Sequence, residues 1–243
     1  MKRILVVTCG LFLLFILSCK KNPTDSSSET IIGSGNLVTE GRLLAQFHSV
    51  ELRTVGNVNV TYGNVQEVSV RVNDNILEYI QTIVNNGTLI IDVEPGRRFS
   101  NLHLTVNLTM TDLEELSMSS AGSITGINEF KADSARLNLN GAGEIRLQLE
   151  VDQLNSSLSG AGNIVLSGAV NTHQIGQPGA GNVQAFDLIT ETSIVNLSGA
   201  GKAEVYVNQL LDVNISGSGS VYYRGHPTII QNITGSGSLI DAN

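Results

Sequence analysis

Leu139-Asn140-Gly141-Ala142-Gly143-Glu144-Ile145 is followed nineteen residues later by Leu158-Ser159-Gly160-Ala161-Gly162-Asn163-Ile164. The central element returns as Gly179-Ala180-Gly181, Gly199-Ala200-Gly201, Gly217-Ser218-Gly219 and Gly235-Ser236-Gly237, with Ser120-Ala121-Gly122 as a first, imperfect copy. Starts at 120, 141, 160, 179, 199, 217 and 235 are separated by 21, 19, 19, 20, 18 and 18 residues. A period near twenty residues marks a solenoid, in which one repeat is one coil that cannot bury its apolar face alone.

The flanks repeat with the glycines. Met118, Leu139, Leu158, Leu197, Ile215 and Ile233 stand two residues before each element, and Ile124, Ile145, Ile164, Val183, Ala203, Val221 and Leu239 stand four residues after its start. Only the fourth copy breaks the first row, with Gln177-Pro178, and a distorted strand end is expected there. Each unit therefore reads as strand, glycine corner, strand and a looser return. A bend between two strands needs backbone angles that a Cβ forbids, so Gly122, Gly141, Gly143, Gly160, Gly162, Gly179, Gly181, Gly199, Gly201, Gly217, Gly219, Gly235 and Gly237 are predicted to be structural corners. The middle Ala or Ser is expected to be small because the next corner stacks directly on it.

The predicted fold is all-β, a right-handed parallel β-helix over residues 118–243, preceded by a strand-rich half over 33–117. Left-handed β-helices use eighteen-residue coils with an internal period of six, which is missing here. Seven coils would rise roughly 30 Å at the spacing of parallel strands. In the amino half, Val50-Glu51-Leu52, Val58-Asn59-Val60 and Val68-Ser69-Val70-Arg71-Val72 alternate with period two, and Asn85-Asn86-Gly87 before Leu89-Ile90-Ile91 reads as a tight hairpin. Ile76, Leu77, Ile80, Ile83 and Val84 sit at helical spacing, so a brief helical turn over Asn75–Glu78 before a strand is expected.

Lys2-Arg3, the apolar run Ile4–Leu17 and Ile16-Leu17-Ser18-Cys19 form an export signal ending in a small residue before a cysteine. The ending resembles the lipobox of bacterial lipoproteins, which implies removal of residues 1–18 and acylation of Cys19. Residues 19–32 then read as a polar, Ser-rich tether. Cys9 lies in the apolar run, so no cysteine pair remains after cleavage and packing alone must stabilise the body. The net charge of -8 becomes -10 once the +2 of Lys2 and Arg3 is gone. A surface of that sign repels phosphate backbones, which argues against a nucleic-acid partner.

Gly-Ser/Ala-Gly repeats behind a lipoprotein signal resemble the head GIN domain family of auto-transporter adhesins. Phe47, Val50-Glu51-Leu52, Gly56-Asn57-Val58-Asn59-Val60, Asp74-Asn75-Ile76-Leu77 and Gly87-Thr88-Leu89-Ile90-Ile91 are similar to that family's opening strands. The resemblance spans about residues 33–243 and implies a pectin-lyase-like superhelix and a role in cell adhesion. It carries no catalytic residues.

Reactive constellations are scarce. Gly-Ala-Gly lacks the third glycine, the following helix and the distal acid of a dinucleotide site. The residues after the glycines are Ser123, Glu144, Asn163, Asn182, Lys202, Ser220 and Ser238, which is no calcium ladder. Polysaccharide-cleaving enzymes also use parallel β-helices and need paired carboxylates, or an acid with a basic partner. Asp112-Glu114-Glu115 and Glu150-Asp152 are the densest acids, and Lys131, Arg136, Arg146, Lys202 and Arg224 are the only bases after residue 118. Solvated turns account for them. His48, His103, His173 and His226 are scattered, without metal-ligand spacing, and read as ordinary surface or strand residues. Tyr206, Tyr222 and Tyr223 could form an aromatic sugar-binding strip, although tyrosine is also a good strand former.

The expected function is a membrane-anchored, non-enzymatic binding or adhesion module of the cell envelope, an outer-membrane lipoprotein held through Cys19, with a glycan or protein ligand and no cofactor or metal. Two alternatives stand beside it. One is a polysaccharide-active lyase or hydrolase. The other is a self-assembling envelope protein whose last coil leaves an edge for a second copy, a homo-oligomer.

Overall fold

The computed structural model describes residues 30–243. The signal segment 1–18, the lipidation site Cys19 and the tether as far as residue 29 lie outside the described residues.

The chain folds almost entirely into strands. The amino half holds β1 (Thr30–Ile32), β2 (Leu37–Gly41), β3 (Ser49–Leu52), β4 (Asn57–Tyr62), β5 (Glu67–Asn73), β6 (Ile80–Asn85), β7 (Thr88–Val93), β8 (Arg98–Ser100), β9 (Thr105–Met110) and β10 (Glu115–Met118). The repeats supply β11 (Ser123–Gly126), β12 (Phe130–Leu139), β13 (Glu144–Leu158), β14 (Asn163–Gln177), β15 (Asn182–Leu197), β16 (Lys202–Ile215), β17 (Ser220–Arg224), β18 (Thr228–Ile233) and β19 (Ser238–Asp241). Successive coils pair in parallel, and the whole is a β-solenoid of about seven turns.

Stacking follows the repeat. Ile145 lies beside Ile164, and Ile164 beside Val183, while Leu139 lies beside Leu158. These positions are buried almost completely, and each Leu or Ile contributes about 1.5–3 kcal/mol by leaving water. A second corner comes midway through the long strands. In β13 the alternation breaks at Asp152-Gln153, both exposed between buried Val151 and Leu154, and one strand thereby serves two faces of the coil. The coil of β15 carries one extra residue, and the register between β14 and β15 shifts between Val165 and Ser167 to absorb it.

The glycine corners show which atoms are crowded. A Cβ on Gly160 would lie 1.9 Å from the carbonyl oxygen of Gly141, and one on Gly162 would lie 2.2 Å from that of Gly143. The backbones stack so closely that only hydrogen fits. The middle residues, Ala142, Ala161, Ala180, Ala200, Ser218 and Ser236, are exposed instead. Crowding thus falls on the glycines, not on the small residue between them. Ser120 departs from the glycine pattern and uses its hydroxyl to donate to the Thr54 carbonyl at 2.7 Å.

Thr54-Val55-Gly56 is itself a corner, since a Cβ on Gly122 would meet the Gly56 carbonyl at 2.1 Å. The ladder therefore runs unbroken across residues 117/118, with β3 on β10 and β4 on β11. Stacking order differs from chain order. β3 lies between β7 and β10, and β4 between β9 and β11, so the later pair β7 and β9 sits below the earlier one. Antiparallel strands extend that end: β6 on β7, β5 on β9 and β2 on β5.

Three local expectations meet the coordinates. Asn86 and Gly87 take φ of 48° and 76°, the positive pair that a two-residue hairpin needs between β6 and β7. The helical turn is a single 3₁₀ turn at Leu77–Tyr79, two residues later than the spacing indicated, followed at once by β6. The end of β14 is altered on one side only. Gln177 keeps its register opposite Leu197, but the ladder with β13 stops at Ser157–Gly176, because Pro178 has no N–H to give to the Leu158 carbonyl. The last three residues assigned to the tether, Thr30–Ile32, form β1 alongside β8.

Candidate functional surface

The acidic cluster at residues 112–115 sits where the chain enters β10, and its carboxylates are already engaged. Asp112 Oδ1 accepts the Leu113 N–H at 2.9 Å, and Glu114 Oε2 lies 2.9 Å from His48 Nδ1. Glu115 accepts from Asn138 Nδ2 at 2.8 Å and Arg136 Nε at 3.3 Å. His48 on one side and Arg136 and Asn138 on the other hold Glu114 and Glu115 to different coils. General acid–base work on a sugar needs two carboxyl groups free to face a common bond, whereas here each is committed to partners of its own.

The second acidic group is more extended than the sequence suggested. Asp133, Asp152, Asn171 and Glu191 follow one another coil by coil at the second corner, each just before the aligned residues Ser134, Gln153, Thr172 and Thr192. With Glu150 they wall a shallow groove of about 360 Å³ whose floor includes Val151 and Val170. Asn171 Nδ2 donates to Asp152 Oδ1 at 2.7 Å, and Asn208 Nδ2 to Glu191 Oε1 at 3.0 Å. Glu150 pairs with Lys131 one coil below, and that hydrogen bond and charge raise the lysine's pKa. The groove thus combines an aliphatic floor with acceptor-rich walls. Sequence reasoning found Glu150 and Asp152 but not their neighbours, because Asp133 and Glu191 join them only through coil stacking.

The histidines occupy four separate places. His48 pairs with Glu114, while His103 Nδ1 lies 3.1 Å from the Asn101 carbonyl oxygen. His226 is exposed near the last coil. His173 is a strand residue but not an ordinary one: it is fully buried, within 2.9 Å of Ser156 Oγ, and desolvation lowers its pKa to about 3. It takes an inward place on β14, where Leu154 precedes it in the stack. No three His, Cys, Asp or Glu side chains among the described residues are grouped to hold a metal ion.

The tyrosines do not form one strip. Tyr222 and Tyr223 are neighbours on β17 and point to opposite faces of the sheet. Tyr223 packs against the core, and burial together with Asp241 raises its pKa. On the outer face, Lys202 Nζ lies 4.3 Å from the centre of the Tyr222 ring and the Arg224 guanidinium 4.2 Å from that of Phe186. These ring faces carry the protein's own cations, which removes them as open stacking platforms for a sugar. A second cleft, of about 480 Å³, lies between Gly41–Leu43 and the outer face of β5 and β9, with Thr61, Ser69 and Asn107 among its lining residues.

The sequence profile of the family described as putative auto-transporter adhesin, head GIN domain, matches residues 46–227, most of the described solenoid. The chain belongs to that family. Among solved structures, this head GIN domain is similar to a putative adhesin from Bacteroides fragilis NCTC 9343, with 25% identity over 87% of this chain and 99% of that one and a TM-score of 0.81. A putative lipid binding protein from Parabacteroides distasonis ATCC 8503 shares the fold at 23% identity, covering 88% of this chain and 100% of its own, with a TM-score of 0.74. A putative adhesin from Parabacteroides merdae ATCC 43184 does so at 20% identity, 88% and 99% coverage and a TM-score of 0.70. None of the curated proteins matches the chain in sequence.

Proposed function

We propose that this head GIN domain is a non-enzymatic adhesive module of the cell envelope, tethered to the outer membrane through a lipid on Cys19, and that it binds glycans along the groove at its second corner. One observation carries the glycan assignment: Asp133, Asp152, Asn171 and Glu191 recur at coil spacing above the apolar floor of Val151 and Val170. Carboxylates and amides accept and donate to sugar hydroxyls, while the half-exposed Ile189 side chain in the same groove suits the C–H face of a pyranose. Repetition along a rigid rod multiplies weak contacts into useful avidity. The engagement of the residue 112–115 carboxylates with separate partners supports binding over turnover. A lipid ligand, the class named for the Parabacteroides distasonis neighbour, has less support, because the inner rows are filled by side chains such as Leu139, Ile145 and Leu158 at 0% exposure.

Glycan-array and cell-adhesion assays with the purified full chain test this reading. Binding is expected to fall at least tenfold on changing Asp152→Ala together with Asn171→Ala, without release of reducing ends from any bound polysaccharide. Absence of binding in both assays would overturn the assignment. So would sugar release that disappears on Glu114→Gln or Glu115→Gln, which would establish an enzyme instead. Protease shaving of intact cells then separates a surface-facing from a periplasmic module.

A further inference from the structure

The two ends of the solenoid are built differently. Below, the outermost strands are the antiparallel β6 and β2, each paired on one side only among the described residues. Above, β18 pairs with β16 and with no other strand among the described residues. All six of its residues, Thr228-Ile229-Ile230-Gln231-Asn232-Ile233, are exposed, Ile229 to 37% and Ile233 to 38% although both continue inward rows. Edge strands in monomers are usually blunted by charge, proline or an inward-pointing charged residue. The companion strand β19 has that device in Asp241, held by the Asn243 N–H at 3.0 Å and Nδ2 at 2.7 Å. β18 has none: Thr228 to Ile240 contains no charged residue, in a chain of net charge -8.

From this edge we infer that two copies of the chain pair β18 to β18 about a two-fold axis through Gln231. The hydrogen-bond parity fits. Thr234 N–H donates to the Ile215 carbonyl at 2.9 Å, so the even-numbered backbone groups face β16. N–H and C=O of Ile229, Gln231 and Ile233 therefore face outward, and an antiparallel partner exchanges hydrogen bonds with those alternate residues. Centring the axis on Gln231 sets Gln231 against Gln231 of the partner subunit and Ile229 against Ile233 of the partner subunit, all on the inward face. Ile230 then meets Asn232 of the partner subunit on the outer face. The pairing is self-complementary, and it joins two apolar interiors end to end. Charge permits this contact, because two copies of an acidic rod meet with least repulsion along an uncharged strand. The contact uses the same strand on both copies, so it closes at two and gives a dimer in place of a filament.

Analytical ultracentrifugation of the full chain in mild detergent is expected to show a dimer. Gln231→Glu opposes two carboxylates at the axis and is expected to give a monomer with unchanged circular dichroism, whose melting temperature no longer depends on protein concentration. Gln231→Cys places two thiols at directly opposed, hydrogen-bonded positions, where Cα atoms lie about 5.5 Å apart and a disulfide fits. Mild oxidation should cross-link that variant but neither the unaltered chain nor Asn232→Cys, whose self-contact is diagonal. A monomeric unaltered chain overturns the proposal. A dimer that survives Gln231→Glu, or one that Gln231→Cys does not cross-link, assigns the contact to another face and overturns it too. Glycan binding by a monomer would leave the proposed function standing while rejecting this dimer.

Discussion

His173 Nε2 and Ser156 Oγ lie 2.9 Å apart inside the solenoid, while His173 Nδ1 has no hydrogen-bond partner among the described residues. A bare buried acceptor is tolerated better than a bare donor, so the favoured tautomer carries its proton on Nε2 and donates it to the serine. Thr190 Oγ1 and Ser193 Oγ, 2.8 Å apart, continue the polar seam beside it, and Thr190 also donates to the Tyr206 carbonyl at 2.8 Å. The seam interrupts inner rows that are mostly apolar.

Acid stability follows from that burial. The unfolded chain protonates His173 near the ordinary value of 6.5, whereas the folded chain holds it neutral down to about 3. Folding therefore loses up to about 1.4 kcal/mol per pH unit between those limits through this group, and loses nothing through it above 6.5. Urea titrations from pH 7 to 4 should show the decline in the unaltered chain and a shallower one in His173→Leu.

Replacing the pair as a unit should stabilise the fold. His173→Leu with Ser156→Ala removes an unmet polar atom and continues the row begun by Leu154, for an expected gain of about 1–2 kcal/mol at pH 7. Ser156→Ala alone strips the imidazole of its one partner and should destabilise. The order of the three midpoints in denaturant checks both statements.

Two glycines should respond oppositely to the same change. Gly160→Ala drives a methyl to 1.9 Å from the Gly141 carbonyl oxygen, and the loss should exceed about 3 kcal/mol because backbone must move. Gly176 has nothing within 4 Å of its missing Cβ and lies in a strand interior, so Gly176→Ala should gain about 0.5 kcal/mol. Thermal melts of the two variants test whether the corners owe their glycines to stacking.

Gln177 stands in a row of leucines and earns its place through its amide. Nε2 donates to the Gly181 carbonyl at 2.6 Å and to that of Lys202 at 3.3 Å, leaving Oε1 without a partner. Gln177→Glu would bury a carboxylate against two carbonyl oxygens and should cost more than about 3 kcal/mol at neutral pH. Its loss should shrink in acid, where the neutral acid can donate. Gln177→Leu, which restores the row, should stay within about 1 kcal/mol of the unaltered chain.

Cys19→Ser should release the chain from membranes. Detergent phase partitioning is expected to move it from the detergent to the aqueous phase, with the solenoid's circular dichroism unchanged.

Residues near in sequence determined much of this protein by themselves. The glycine corners were legible because each coil repeats the same demand at a nearly fixed interval, and backbone stacked on backbone admits no Cβ. Period-two alternation likewise settled which side chains face inward on β13 to β16, and Asn86-Gly87 settled the β6–β7 turn. Only tertiary structure decided what lies above and below each residue. Thr54-Val55-Gly56 became a corner, and β3 and β4 slid between β7–β9 and β10–β11, because strand pairing rewards contacts that sequence order does not encode. His173 shares a strand face with Ile175, two residues on, but the second corner at Asn171-Thr172 breaks the alternation from Val170 that would have marked it as inward. The groove of Asp133, Asp152, Asn171 and Glu191 was hidden for another reason: side chains about twenty residues apart become neighbours only once their coils are stacked.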